Sequence, residues 1–192
     1  MRNEAILSGK KLRHLRAHTL GWRGEKLRPD SFLNGANTQG HKTPLFWCFQ
    51  SYEEMASLAE HLGADQPLYG MRSAKHVMPH SEENSLALAT IYLAEVLELQ
   101  QEEPFRLGAN CAGARIILPL AKMLQVRGKQ VELVCTLERF VPQNYSGRVT
   151  MLFGQDSELN PYRKMDAPEE RYRKHYSGPL VVRIVPGWHG QF

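Results

Sequence analysis

Arg106-Leu107-Gly108-Ala109-Asn110-Cys111-Ala112-Gly113-Ala114-Arg115 is the stretch whose reading decides the fold. It reads as a short strand running into a tight turn, with a helix starting straight after it. Small residues crowd both sides of a single cysteine. A nucleophile elbow requires that crowding, because its turn is so sharp that a large neighbour would collide with the strand or the helix. The elbow lifts Cys111 clear of the sheet and places the N–H of Ala112 where an oxyanion can be held. The common pattern G-x-S-x-G here becomes Ala109-Asn110-Cys111-Ala112-Gly113, with sulfur in place of oxygen and Ala in place of the first Gly. The competing reading is a buried structural cysteine at a strand end, since free cysteine is among the most buried residue types.

Working outward, the flanking segments alternate strand with helix. Upstream, Pro44–Phe49 is an apolar run of strand length, the pattern of a strand buried on both faces. Ser51 and Glu54 then form a capping box ahead of an apolar face made by Met55, Leu58, Ala59 and Leu62, and Gly63 ends that helix. Pro67–Met71 is a second short strand, 72–83 a polar loop, and Ser85–Gln101 a strongly periodic helix stopped by Pro104. Downstream of the elbow, a helix to about Arg127 contains Pro119 and stops at Gly128. Three strands follow, Val131–Leu137, Val149–Phe153 and Leu180–Val185, with a polar helical segment before the last. The pattern predicts an α/β fold with a doubly wound, mostly parallel sheet over residues 41–192. Residues 1–40 read as a basic, poorly structured N-terminal arm, broken by Gly21, Gly24, Pro29, Gly35 and Gly40.

Composition excludes several classes. No apolar run reaches the ~18 residues of a spanning helix, so no membrane association and a cytoplasmic location are expected. Three widely spaced cysteines, Cys48, Cys111 and Cys135, with no C-x-x-C, argue against a disulfide framework or a zinc site. The net charge of +4 is uneven: residues 1–28 carry eight basic against two acidic side chains, +6, which leaves −2 for the remainder. A basic arm favours acidic partners. There is no nucleic-acid-binding motif, and no nucleic-acid partner is expected.

In open α/β sheets the functional groups gather beyond the carboxyl ends of the strands, and the α/β-hydrolase chain order is nucleophile, acid, histidine. His189, in a Gly-flanked loop after the last strand, takes the place of the base. Glu138 and Asp156, each at the end of a strand, both qualify as the acid that orients it. Cysteine ionises near pH 8.5, and an imidazolium or a helix N-terminus beside it would lower that further. A glutamine-amidotransferase reading would need Cys-x-Gly-x-Gln and His-x-Glu, which Cys111–Arg115 and His189-Gly190-Gln191 do not supply.

From about Thr43 to His189 the chain resembles the thioesterase domains that end nonribosomal peptide and polyketide assembly lines. The matching stretches are Pro44–Phe49, Gln66-Pro67-Leu68-Tyr69-Gly70, Glu103-Pro104-Phe105-Arg106-Leu107, the elbow with its helix at Gly108–Gly128, and His189. The resemblance implies an α/β-hydrolase fold, here reduced, with too few residues after Glu138 for the family's mobile lid. It implies that Cys111 takes up the acyl group from a carrier-protein or pantetheine thioester, with His189 as base. It slightly favours Glu138 over Asp156, although stand-alone members place their acid at the Asp156 position. Gln50-Ser51 stands where the family has a Gly-rich oxyanion loop, which makes Gln50 the counterpart of the second oxyanion donor beside Ala112. No cofactor is implied beyond the phosphopantetheine that carries the substrate. The alternative is a degenerate relative that binds acyl or carrier partners without turnover.

Overall fold

A computed structural model describes residues 7–190. Seven strands form one sheet: β1 (Asn34–Ala36), β2 (Leu45–Phe49), β3 (Leu68–Arg72), β4 (Phe105–Asn110), β5 (Val131–Leu137), β6 (Val149–Gly154) and β7 (Leu180–Val185). Their order is β1-β3-β2-β4-β5-β6-β7; β1 pairs antiparallel with β3 and all other pairs are parallel. The α-helices are α1 (Gly9–Leu20), α2 (Tyr52–Leu62), α3 (Glu82–Leu99), α4 (Ala114–Val126) and α5 (Pro168–Tyr172). None of the described helices is long and apolar enough to cross a membrane.

The continuous apolar run of β2 is explained by its two faces. Phe46 and Cys48 join the large core beneath α3 and α4, while Leu45, Trp47 and Phe49 join a second cluster with Met55 and Ala59 of α2. Phe46 and Phe49 are fully buried, so truncating either to Ala costs about 3–5 kcal/mol. The chain leaves β2 through α2 toward β3 on one side, and leaves β4 through α4 toward β5 on the other. β2 and β4 are neighbours, with Cys48 opposite Ala109, so the winding reverses between them. That switch point opens a crevice at their carboxyl ends. Between β5 and β6, residues 138–148 hold no helix, in keeping with a fold that lacks a lid at that position.

The poorly structured arm expected over residues 1–40 needs correction for its described part. Ser8 caps α1, Leu15 and Thr19 are buried, and Leu7, Leu15, Phe32 and Leu33 are part of the main core. The buried carboxylate of Glu95 on α3 accepts the backbone N–H groups of Phe32 (2.9 Å) and Leu33 (3.1 Å), which ties the segment down before β1. These apolar residues are scattered among basic ones, so no periodic run announces them. The capping box of α2 is also only half formed. Ser51 Oγ accepts the N–H of Glu54, but the Glu54 carboxylate reaches Gln50 and not Ser51.

Candidate active site

β4 delivers Cys111 to the crevice on a backbone that only an elbow produces. Cys111 has φ +44°, then one 3-10 turn, Cys111–Gly113, leads into α4. A non-glycine residue held at positive φ costs about 1–3 kcal/mol and persists only where its surroundings enforce it. Those surroundings explain the small neighbours. A Cβ on Gly113 would lie 2.7 Å from the Cys48 carbonyl oxygen, and one on Gly108 would lie 2.1 Å from the Trp47 ring.

His189 arrives from the loop after β7, between Gly187 (φ +108°) and Gly190 (φ +80°). Its Nε2 lies 3.1 Å from Cys111 Sγ, and its Nδ1 lies 3.2 Å from Glu138 Oε2. A carboxylate can only accept, so Nδ1 carries the proton, and in the neutral ring Nε2 is left to accept from the Cys111 S–H. Glu138, one residue beyond β5, is a second non-glycine at positive φ (+57°). Its side chain is only 3% exposed, against 49% for His189. A buried carboxylate needs donors, and Glu138 has them: Gly154 N–H and Ser157 O–H each donate to it at 2.5 Å.

Asp156 lies in the same β6–β7 loop, but among the described residues its carboxylate makes no hydrogen bond or ion pair with His189. Its backbone N–H donates to Gly187 O (3.1 Å) and its carbonyl accepts from Arg163 (2.9 Å). The loop thus serves the acid on β5 through Gly154 and Ser157. The role of Ser157 has no sequence signal, because it depends on two strand ends meeting.

The expectation that Cys111 ionises more easily than usual is reversed. Burial pushes its thiol up, and the Glu54 and Glu138 carboxylates add to the rise; Lys75 and Arg139 act the other way. Burial also pushes the Cys135 thiol up to about 12, and Cys48, fully buried, higher still.

Of the expected oxyanion donors, Ala112 follows Cys111 in the 3-10 turn. Gln50 sits one residue past β2, beside the elbow, but its polar groups are engaged. Its side chain donates to Asn110 O (2.8 Å) and accepts from Ser73 Oγ (2.7 Å), and its backbone N–H donates to Glu54 Oε2 (2.8 Å). A cavity of about 380 Å³ lined by Leu45, Gln66, Arg106, Glu132, Leu133 and Arg148 lies at the amino ends of the strands, away from this chemistry.

Sheet order, strained elbow and a Cys–His–Glu chain at the switch point together define an α/β-hydrolase fold with a nucleophile, base and acid in contact. Comparison narrows the fold further. No family model matches the sequence. Chondramide synthase cmdD of Chondromyces crocatus is 34% identical over 108 residues, 54% of this chain and 3% of that protein. The dimodular nonribosomal peptide synthase of Bacillus subtilis strain 168 is 25% identical over 116 residues, 54% of this chain and 4% of that protein. The chain therefore spans only a few per cent of these relatives. Among solved structures, the NocB thioesterase domain from the nocardicin cluster superposes with TM-score 0.62 at 18% identity, covering 82% of this chain and 89% of that one. YbtT, the type II thioesterase of the yersiniabactin pathway, gives 0.61 at 14% identity, covering 83% and 91%. The chain has the α/β-hydrolase fold of the thioesterase domains of nonribosomal peptide and polyketide pathways.

Proposed function

We propose that this chain cleaves acyl thioesters presented on the pantetheine arm of an acyl or peptidyl carrier protein, through an acyl-Cys111 intermediate. The supporting observation is the unbroken contact chain Cys111 Sγ–His189 Nε2 and His189 Nδ1–Glu138. The Cys111 proton passes to Nε2 as sulfur attacks the thioester carbonyl carbon. The tetrahedral oxyanion is held by the N–H of Ala112. Collapse breaks the bond from carbon to the pantetheine sulfur, and the imidazolium returns its proton to that departing sulfur. One thioester has replaced another, so this step is close to balanced. In the second half water gives a proton to His189 and attacks the acyl-Cys111 carbonyl, which releases the acid and restores the thiol. An internal hydroxyl or amine of the acyl chain in place of water would release a cyclised product. Glu138, not Asp156, holds the imidazole, and no cofactor takes part.

The test is intact-mass analysis after exposure to a small panel of acyl-pantetheine thioesters. The expected result is an acyl adduct that maps to Cys111, is absent from Cys111→Ala, and decays with release of acid. Binding without turnover is a second reading, favoured by the engagement of the Gln50 N–H with Glu54. It requires tight association with acyl-carrier substrates and no adduct at any time.

A further inference from the structure

Glu54 makes contacts that a helix cap does not need. In a capping box the third-position carboxylate returns to the N–H of the capping residue itself, here Ser51. Instead, Oε2 of Glu54 accepts the N–H of Gln50, one residue earlier, at 2.8 Å, and also Nδ2 of Asn110, at 2.9 Å. Asn110 is the residue before the nucleophile, and its Oδ1 accepts the Trp47 indole N–H at 2.8 Å. One carboxylate oxygen therefore clamps the ends of β2 and β4 together across the switch point. With Cys48 opposite Ala109, Gln50 is level with Cys111. The N–H that this fold would use as the second oxyanion donor, from the loop after the first parallel strand, is thus bonded to an anion beside the nucleophile.

We infer that Glu54 is a latch on the oxyanion hole: while its carboxylate holds the Gln50 N–H, the hole has one donor and a negative charge next to the place where a second negative charge must develop. Glu54 acts through Gln50 and touches no reacting atom, so it is a positioning residue. Release of the latch supplies a donor and removes a repulsion in one motion. Glu54 also contributes to the raised Cys111 thiol, so a change at Glu54 alters nucleophilicity as well. The two effects have to be separated.

The inference rests on the acyl-Cys111 reading, and two reactions of the same thiol separate its parts. Alkylation by iodoacetamide displaces iodide from a saturated carbon and builds no oxyanion. Acylation by a small acyl-pantetheine thioester builds one. The ratio of acylation to alkylation rate at Cys111, both followed by intact mass, cancels the change in thiolate content. Glu54→Ala frees the Gln50 N–H and should raise this ratio at least tenfold, against the ~10²–10³ that one oxyanion donor is worth. Glu54→Gln keeps the shape while removing the charge, and should raise it several-fold even if Glu54→Ala fails to fold. A ratio within twofold of wild type in the folded variants overturns the latch while leaving acyl transfer intact. Alkylation without acylation in every variant overturns both.

Discussion

Changing Glu138 to Gln tests the acid assignment with almost no change of shape. The carboxylate accepts three donors: Gly154 N–H, Ser157 O–H and His189 Nδ1–H. An amide keeps one acceptor oxygen and gains an NH₂ group. If the oxygen stays on Gly154 N–H, the NH₂ faces Ser157 and His189. Ser157 adapts by turning its hydroxyl to accept. His189 adapts only by moving its proton from Nδ1 to Nε2, and the ring can then no longer take the Cys111 proton. Such a tautomer switch costs up to about 10⁴ in rate, or about 5.5 kcal/mol of transition-state stabilisation. The fold should lose less, about 1–3 kcal/mol, because charge-assisted bonds become neutral ones while the cost of burying a carboxylate disappears. The assay is the single-turnover rate of Cys111 acylation by an acyl-pantetheine thioester, with thermal melting to confirm the fold. Glu138→Gln should fall by 10²–10⁴ and Asp156→Asn by less than about threefold, since the Asp156 side chain does not reach the ring. A folded Glu138→Gln variant near the wild-type rate, or a collapse in Asp156→Asn, would refute the assignment.

Three further outcomes are expected. Iodoacetamide should label Cys111 ahead of the buried Cys48 and Cys135, as read by peptide mass mapping, with a rate that still climbs as pH passes the ordinary thiol range because the Cys111 thiol is pushed up; equal labelling of all three removes the nucleophile. Gly108→Ala places a methyl group within the Trp47 ring and should cost about 1–3 kcal/mol as overpacking, roughly 2–12 °C in Tm for a chain of this size, and an unchanged melting curve would show the elbow to be looser than its contacts. Reversing Lys10 and Arg13, exposed cations of α1 without an acidic partner among the described residues, should raise KM for a carrier-borne substrate by roughly 2–30-fold at low salt, leaving kcat and free-pantetheine substrates alone; no change would exclude α1 from carrier docking.

What was legible in the sequence was whatever local sterics or a long periodic run decides. The elbow could be read because its turn tolerates only small neighbours, and Gly113 against Cys48 shows the tolerance in full. β2 could be read because both its faces are covered. β5 and β7 run over Val131–Leu137 and Leu180–Val185 as expected, while α3 starts earlier, at Glu82 behind the Ser81 cap. β1 could not be read: Asn34-Gly35-Ala36 has no apolar run, and its strand character comes from pairing with β3. The polar segment before β7 holds only a 3-10 turn at Pro161–Arg163 and the short α5. Glu138 and Asp156 look alike in sequence because both follow a strand. What separates them is the direction of the next peptide, and the left-handed turn at Glu138 sends its carboxylate toward His189.

Sulfur in this setting behaves more like the oxygen of a serine triad than like the thiolate of a cysteine protease. A Cys–His pair rests as thiolate and imidazolium where the surroundings favour the anion, through cations, a helix N-terminus or solvent. Here burial is the largest influence on Cys111, and carboxylates at Glu54 and Glu138 both oppose a second negative charge, with Lys75 and Arg139 offsetting only part of it. The resting nucleophile is therefore the thiol, and its proton must leave during the attack. That makes the 3.1 Å contact with His189 necessary at the moment of reaction rather than before it. It also protects the residue, because oxidation follows thiolate character and exposure. His189→Ala should accordingly abolish acylation at neutral pH and leave a slow reaction that recovers only as alkali ionises Cys111 directly. A variant that acylates at the wild-type rate at neutral pH would mean that the thiolate preforms without its base.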